Sequence, residues 1–296
     1  PRDLRLQFER ALDYLYFEFA ARYHAPSGYL AGAKSRAYAL DLKSGHGYSA
    51  LVAHRQWNLP CQPDSSFMVN WLLAGYVASP RIRAIALHKP FPIEVKSDLA
   101  NFGISRTDYL AANYTLGSQT GNHAHPQEIP LFITLRGNKK NHCVFIKPSF
   151  PTAARFASQQ NQSELLGIYS FDAVTTRYFY HQRNIRPQGP LPKSLAFDWR
   201  LGDRESLREI RIQHRLWNGR PWTSRQETAL AIKFDHAWLG LKLQVLPGSA
   251  RLRPNDAAIQ LAWSNAELIL SVTVCAEAMA HADQGCAGAM VFHLHL

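Results

Sequence analysis

From Pro80 onward the sequence is a succession of short alternating or apolar runs separated by turn residues, and this pattern constrains the fold most strongly. Alternation with a period of two is typical of antiparallel strands that bury one face. The runs predict strands near 82–88, 107–116, 129–136, 142–147, 164–171, 175–182, 194–200, 208–217, 227–235, 238–246, 257–263, 267–275 and 288–295. This is more than an immunoglobulin-like domain contains, so we expect a large antiparallel β-sandwich, a supersandwich, over residues 81–296.

Two short segments within this region are predicted to form tight turns. Asn218-Gly219 is a dipeptide suited to a two-residue hairpin turn, because both of its residues tolerate positive φ. The segment 263–267 is typical of another short connection. We therefore expect the strands on either side of each segment to pair with each other.

The segment 4–23 has the apolar spacing of a helix and is rich in aromatic residues, which predicts deep burial. The spaced residues are Leu4, Phe8, Leu12, Leu15 and Phe19, with Phe17 widening the stripe. Two more short helices are predicted at 48–57 and 67–78. A lone helix needs packing partners to persist, so we expect residues 1–80 to be the end of a larger helical region.

Charge favours an anionic partner. The chain has 33 Lys and Arg against 22 Asp and Glu, a formal net charge of +11. Its basic residues are scattered, with no basic arm or zinc-finger spacing, so nucleic acid is not the expected partner. No apolar run is long enough to span a bilayer, which predicts that the chain does not cross a membrane, and a membrane is not among the partners we expect. A net charge of this sign also suits an acidic polysaccharide.

Cysteine usage and sequons favour an extracytoplasmic or secreted location. The chain has four cysteines, Cys61, Cys143, Cys275 and Cys286. None forms a C-x-x-C pair, whereas Cys275 and Cys286 flank a polar loop that a disulfide would close. Glycosylation sequons begin at Asn113 and Asn161. The given sequence starts at Pro1 without a signal peptide.

The first polar segment (residues 29–41) lies between the helical region and the predicted strands. Beside Gly32 it carries Lys34, Ser35, Arg36, Tyr38 and Asp41. The second polar segment (residues 109–131) leaves a strand through a Gly-rich turn, passes His123 and His125, and re-enters a strand at Ile129. Binding groups concentrate in loops on rigid sheets, so we interpret the two segments as halves of one site. Two solvated loops are the alternative.

The second polar segment also permits a metal interpretation. His123-x-His125 followed by Glu128, with Gly117 before and Gly137 after, approximates the first metal motif of cupins. Alternate residues of a strand share a face and so can ligate one divalent metal. Glu128 comes one residue too early for the usual spacing, and no second motif follows. We therefore expect no cofactor, with a divalent metal at the His123 and His125 loop as the alternative.

The segments 30–41 and 113–118, together with Pro130-Leu131, resemble a group of large proteins built as an (α/α) helical toroid followed by a β-sandwich. More distantly they are similar to heparinase II/III-like and alginate-type polysaccharide lyases and related toroid glycoside hydrolases. The resemblance implies that only the last toroid helices and the sandwich are present. That group carries Pro-His where this chain has Ala33-Lys34, which weakens any catalytic role carried over to this position.

A polysaccharide lyase would need a cation to neutralise the uronate carboxylate, a base for the C5 proton and an acid for the leaving oxygen. Arg36 suits the first role and Tyr38 either of the others. The candidate catalytic residues are Tyr38, His123, His125 and His24. The candidate substrate-binding residues are Arg36, Lys34, His46, Asn122 and Gln127.

Two other functions stay open. A glycoside hydrolase would need two carboxylates across the scissile bond, for which Asp41 and Glu128 are available. A non-catalytic sandwich would bind sugar rings on exposed tryptophans. The tryptophans considered for that role are Trp217, Trp222, Trp238 and Trp263.

Overall fold

A computed structural model describes residues 2–33, 79–99, 104–123, 129–149, 154–171, 194–247, 259–276 and 288–296. These residues form two helices, α1 (Arg2–Arg22) and α2 (Pro80–His88), and a set of strands. The strands are β1 (Tyr23–His24), β2 (Tyr29–Leu30), β3 (Ile93–Leu99), β4 (Ile104–Leu110), β5 (Tyr114–His123), β6 (Leu131–Leu135), β7 (His142–Pro148), β8 (Ala154–Asn161), β9 (Glu164–Phe171), β10 (Ser194–Asp203), β11 (Glu209–Ile212), β12 (Arg215–Leu216), β13 (Trp222–Ser224), β14 (Thr228–Lys233), β15 (Trp238–Pro247), β16 (Ile259–Ser264), β17 (Glu267–Ala276) and β18 (Gly288–His295).

Helix α1 confirms the helix predicted over 4–23, but the predicted deep burial is wrong for its first half. Leu4 and Phe8 are 58% and 63% exposed. The buried face is formed by Tyr16 and Ala20, which belong to one apolar cluster with Ala86 of α2. The spacing located a helical stripe correctly but could not show which part of it meets a neighbour.

Residues 82–88 form helix α2, not the predicted strand. Ser79 caps the helix, since its hydroxyl accepts a hydrogen bond from the Ile82 backbone N–H at 3.4 Å, and Pro80 occupies the first turn. Ile82 and Ala86, four residues apart, are the buried residues of α2 and share an apolar cluster with α1. The alternation of Ile and Arg at 81–85 is typical of a strand, whereas the Ser79 cap and Pro80 indicate a helix.

Lys89 joins the ends of the two helices. Its Nζ donates hydrogen bonds to the carbonyl oxygens of Ala20 at 2.7 Å, Ile85 at 3.1 Å and Ala86 at 3.2 Å. These carbonyls lie near helix C-termini, where backbone acceptors lack partners and a cation is favoured. Lys89 therefore fixes the packing of α1 on α2.

Sixteen strands form one curled antiparallel sheet, and β1 and β2 form a separate pair. The sheet has two arms. The first runs β3-β4-β5-β6-β7-β10-β17-β16-β13, and the second runs β5-β8-β9-β18-β15-β14-β11-β12. Strand β5 belongs to both, because it pairs with β6 through residues 114–118 and with β8 through residues 121–123. The prediction of a mainly β, antiparallel fold is confirmed. We expected two separate sheets, whereas the structure has one hydrogen-bonded sheet whose two arms are joined at β5.

One hydrophobic core lies between the arms. Phe197 of β10 stacks on Tyr169 and Phe171 of β9, with ring centroids 4.3 Å and 4.4 Å apart. Trp199 of β10 meets Phe292 of β18 edge to face at 4.8 Å. All five rings are essentially inaccessible to solvent. Because β10 lies in the first arm and β9 and β18 in the second, the inner faces of the arms pack against each other.

Of the two predicted tight turns, one is wrong and one is confirmed. The hairpin predicted at Asn218-Gly219 is wrong: β12 pairs with β11 and β13 with β16, so this turn carries the chain from the edge of one arm to the edge of the other. The tight turn is instead at Gln213-His214, whose φ angles are 48° and 66°. The connection predicted at 263–267 is confirmed, with Asn265 at φ 56° between β16 and β17.

The predicted strand 107–116 also needs correction, since it spans the end of β4, a turn and the start of β5. Within that turn the Ala111 N–H donates to the Tyr114 carbonyl at 2.9 Å. Strands β1, β2, β3, β8 and β13 were not predicted, and the predicted strand 208–217 is two paired strands, β11 and β12. The predicted helices at 48–57 and 67–78, the strand at 175–182 and Cys286 of the predicted disulfide lie outside the described residues.

Candidate functional site

The described parts of the two polar segments touch at a pair of glycines. A Cβ placed on Gly117 of β5 would lie 2.1 Å from the Cα of Gly32 and 2.6 Å from its backbone nitrogen. Gly32 also has a φ of +103°, which residues with a side chain rarely adopt. The chain after α1 therefore crosses directly over β5, and only glycine permits this approach.

A buried carboxylate organises this junction. Asp108 of β4 is completely buried, and its Oδ2 accepts hydrogen bonds from Nε of Arg22 and Nε of Arg106, both at 2.7 Å. Arg22 is in the last turn of α1, so the carboxylate connects the helix to the sheet. A buried charge is stable only when it is paired and hydrogen-bonded, which these two guanidinium groups achieve.

The two arginines extend the network in different directions. Arg22 donates through Nη2 to the Ser97 hydroxyl of β3 at 2.7 Å, and its Nη1 contacts the carboxylate of Glu18. Arg106 donates through Nη2 to the carbonyl oxygen of Ala31 at 2.7 Å. Helix α1, strands β3 and β4 and the start of the first polar segment are thus held by one set of charges.

The second carboxylate oxygen of Asp108 accounts for the presence of glycine at positions 32 and 117. Asp108 Oδ1 is buried and has no hydrogen-bond partner in the described ranges. A Cβ on Gly32 would lie 2.2 Å from this oxygen, and one on Gly117 would lie 2.6 Å from it. The backbone of both glycines therefore closes over the carboxylate.

His24, a predicted catalytic residue, lies buried beside this junction. Its Nε2 donates to the Ala111 carbonyl at 2.7 Å; in that tautomer Nδ1 accepts from the Ser27 hydroxyl at 2.7 Å. Burial lowers the pKa of His24 to about 4, against a smaller raising effect of the hydrogen bond to Ala111. Both ring nitrogens are engaged, so His24 holds the chain after α1 against the turn between β4 and β5.

The other predicted site residues are only partly described. Asn122 and His123 are the last residues of β5, where their backbones pair with Arg155 and Ala154 of β8, and their side chains lie outside the description. The following predicted residues lie wholly outside the described ranges: Lys34, Arg36, Tyr38, Asp41, His46, His125, Gln127 and Glu128. The structure therefore brings together the flanks of the two polar segments.

Sequence reasoning missed Arg22, Arg106 and Asp108. Arg22 and Asp108 are 86 residues apart, and nothing local in the sequence relates them. The one available signal was Arg106-x-Asp108, two charges on the same side of a strand that continues into the buried Leu110. A charge on a face that becomes buried indicates a specific partner.

The tryptophans considered for sugar binding are unequally exposed. Trp217 and Trp263 are partly buried against the core, and their ring centroids are 6.2 Å apart. Arg204 lies over Trp263, 4.9 Å from the ring centroid, and Trp222 is also partly buried. Trp238 is 42% exposed.

Within the described ranges, no group of three or more His, Cys, Asp or Glu side chains is arranged to hold a metal ion. Of the residues in the cupin-like spacing, Gly117 packs on Gly32, and a Cβ on Gly137 would lie 2.5 Å from Nε2 of His142. Neither described helix combines the length and apolar character needed to cross a membrane.

Comparison of the chain with protein-family models, curated proteins and solved structures gave no match.

Proposed function

We propose that this chain is a carbohydrate-active protein that cleaves an acidic, uronate-containing polysaccharide by β-elimination. The observation that carries the proposal is the contact of Gly32 with Gly117, which joins the flanks of the two polar segments at one junction between helix and sheet. Sites commonly form where loops are positioned by a rigid scaffold. The net charge of +11 suits an acidic polymer.

The proposed chemistry uses residues of both polar segments. Arg36 neutralises the uronate carboxylate, which makes the C5 proton more acidic. Tyr38 removes that proton, and His123 or His125 protonates the leaving glycosidic oxygen. Lys34, His46, Asn122 and Gln127 contribute to substrate binding. This elimination needs no cofactor.

The proposed architecture follows from the same reasoning. We interpret α1 and α2 as the last helices of an (α/α) toroid and the two arms of the sheet as a supersandwich. Leu4, Phe8 and Tyr14 of α1 are 58%, 63% and 66% exposed, which supports a further layer of helices packed on this face. A polysaccharide substrate of this class places the protein outside the cytoplasm.

The test is an ultraviolet assay for unsaturated uronate, run with polygalacturonate, alginate and hyaluronan. If the proposal is correct, the absorbance should rise with at least one polymer. This rise should be lost in Tyr38→Phe and His123→Ala. His293→Ala, which changes an exposed histidine of β18, should retain the activity. New reducing ends without absorbance would indicate a hydrolase, and the absence of any cleavage would contradict catalysis.

A second candidate is glycan binding without turnover, favoured by the Trp217–Trp263 pair with Arg204 at its side. Aromatic rings and an adjacent cation suit an acidic sugar. Retention of the protein on an acidic glycan matrix, reduced in Trp217→Ala and Trp263→Ala with no cleavage product, would support it. Unchanged retention in both variants would contradict it.

A further inference from the structure

We infer that Arg106 binds the carboxylate of the acidic sugar and that Asp108 is the positioning residue that orients it. The inference rests on the proposed function, because it names a further binding residue for that substrate. It depends on residues that the sequence did not single out, and its evidence is the geometry of the buried network.

The first step is the contrast between two arginines that share one carboxylate oxygen. Arg22 uses all three guanidinium nitrogens, on Asp108, Glu18 and Ser97, and its side chain is 7% exposed. Arg106 uses Nε and Nη2 only. Its Nη1 has no hydrogen-bond partner among the described residues, and its side chain is 26% exposed. Arg22 is therefore saturated, whereas Arg106 keeps an N–H edge for a ligand.

The second step is the rigidity of Arg106. Its Nε is held at 2.7 Å by a carboxylate that is completely buried, and its Nη2 is held at 2.7 Å by the Ala31 carbonyl. An arginine fixed at two points loses little side-chain entropy when it binds an anion. The remaining edge is suited to a planar carboxylate, which guanidinium recognises through charge-assisted hydrogen bonds.

The third step is the place of Arg106 in the sheet. It pairs with Ser97 of β3 on one side and with Gln119 of β5 on the other. Gln119 is four residues before His123 on β5, and Ala31 directly precedes Gly32. Arg106 thus contacts the first polar segment and neighbours the second. A carboxylate bound here would lie between the two halves of the proposed site.

The test compares binding of polygalacturonate with binding of the same polymer after chemical reduction of its carboxyl groups. We expect Arg106→Gln to bind polygalacturonate at least about tenfold more weakly and the reduced polymer as the wild type does. Arg211→Gln is the matched control, since it removes one exposed positive charge from β11, far from the network in the sheet order. It should bind both polymers normally.

A further variant guards against a folding defect, and another tests the positioning role of Asp108. Arg106→Lys keeps the charge but loses the fork that reaches three partners, so it should also lose about tenfold in affinity while unfolding near the wild-type temperature. Asp108→Asn, measured at a temperature where it is still folded, should weaken binding of the acidic polymer and leave binding of the reduced polymer unchanged. If the wild type binds polygalacturonate and folded Arg106→Lys binds equally well, the inference is wrong. If the wild type binds none of polygalacturonate, alginate and hyaluronan, the proposed function fails, and the inference with it.

Discussion

The Cα of Gly32 lies so close to Gly117 that a Cβ on the latter would fall 2.1 Å away. This contact is between backbones, which cannot rotate aside as a side chain could. It sets the height at which the chain after α1 crosses the sheet, and the buried Asp108 lies beneath it. The junction therefore depends on glycine at two positions that are far apart in sequence.

Gly117→Ala should lower the free energy of unfolding by about 1–3 kcal/mol, because the added methyl group overpacks a contact with backbone atoms. Gly240→Ala in β15 is the control, since its nearest atom would be 3.7 Å from the new Cβ. That variant should differ from the wild type by less than about 1 kcal/mol. Chemical denaturation of the three proteins measures the difference, and equal losses in both variants would contradict the close contact.

Asp108→Asn should cost about 3–5 kcal/mol, because it removes the buried negative charge that Arg22 and Arg106 share. Glu227→Gln provides the comparison. Glu227 pairs with Lys242 at 3.0 Å, but the two side chains are 50% and 57% exposed, so its loss should cost less than about 1 kcal/mol. Denaturant midpoints distinguish the two, and a cost for Asp108→Asn no greater than that for Glu227→Gln would show that the buried network is not stabilising.

His24 should make the protein less stable in mild acid. Burial lowers the pKa of His24 to about 4 from 6.5, so between these values the unfolded chain binds the proton and the folded chain does not. The contribution of His24 to the free energy of unfolding is complete above pH 6.5. It is lost as the pH falls to 4, by roughly 3 kcal/mol in total. Unfolding curves of wild type and His24→Gln should therefore converge in acid, whereas His293→Gln should run parallel to the wild type.

Lys89 should give a dependence in the same direction at high pH. Burial lowers the pKa of Lys89 to about 8 from 10.5. Between these values the unfolded chain again binds more protons, so stability rises as the pH increases from 8 to 10.5, by roughly 3 kcal/mol. Lys89→Met should remove this rise, and Lys242→Met, at an exposed position, should keep it. Thermal melts across this range provide the measurement, and parallel curves for wild type and Lys89→Met would contradict the prediction.

The sequence predicted the elements whose side chains alternate clearly. Strand β18 alternates buried positions with half-buried or exposed ones over 288–295, and its predicted bounds agree with the observed ones. Strand β8 was missed because its alternation fades after Phe156 into the polar run 158–161. Helix α2 was missed because Ile and Arg alternate at its start. The hydrophobic pattern of the sequence predicts an element correctly when one face of that element is buried along its whole length. It fails when burial changes along the element.

The site could be predicted only in part. The sequence suggested that two polar segments meet, and the contact between Gly32 and Gly117 shows their described flanks together. It could not predict the Arg22–Asp108 pair, because that contact depends on how α1 packs on the sheet. Nor could composition distinguish Arg106 from other arginines, since only the bond to Ala31 and the shared carboxylate identify it.

The position of β18 has a consequence for biosynthesis. This strand lies between β9 and β15 and is hydrogen-bonded to both. Until residues 288–295 have been synthesised, the second arm is two separate pieces, each with an open edge that could pair with another chain. The nascent protein thus passes through an aggregation-prone stage that ends when β18 inserts. Its yield in cells should accordingly depend on chaperones that protect strand edges.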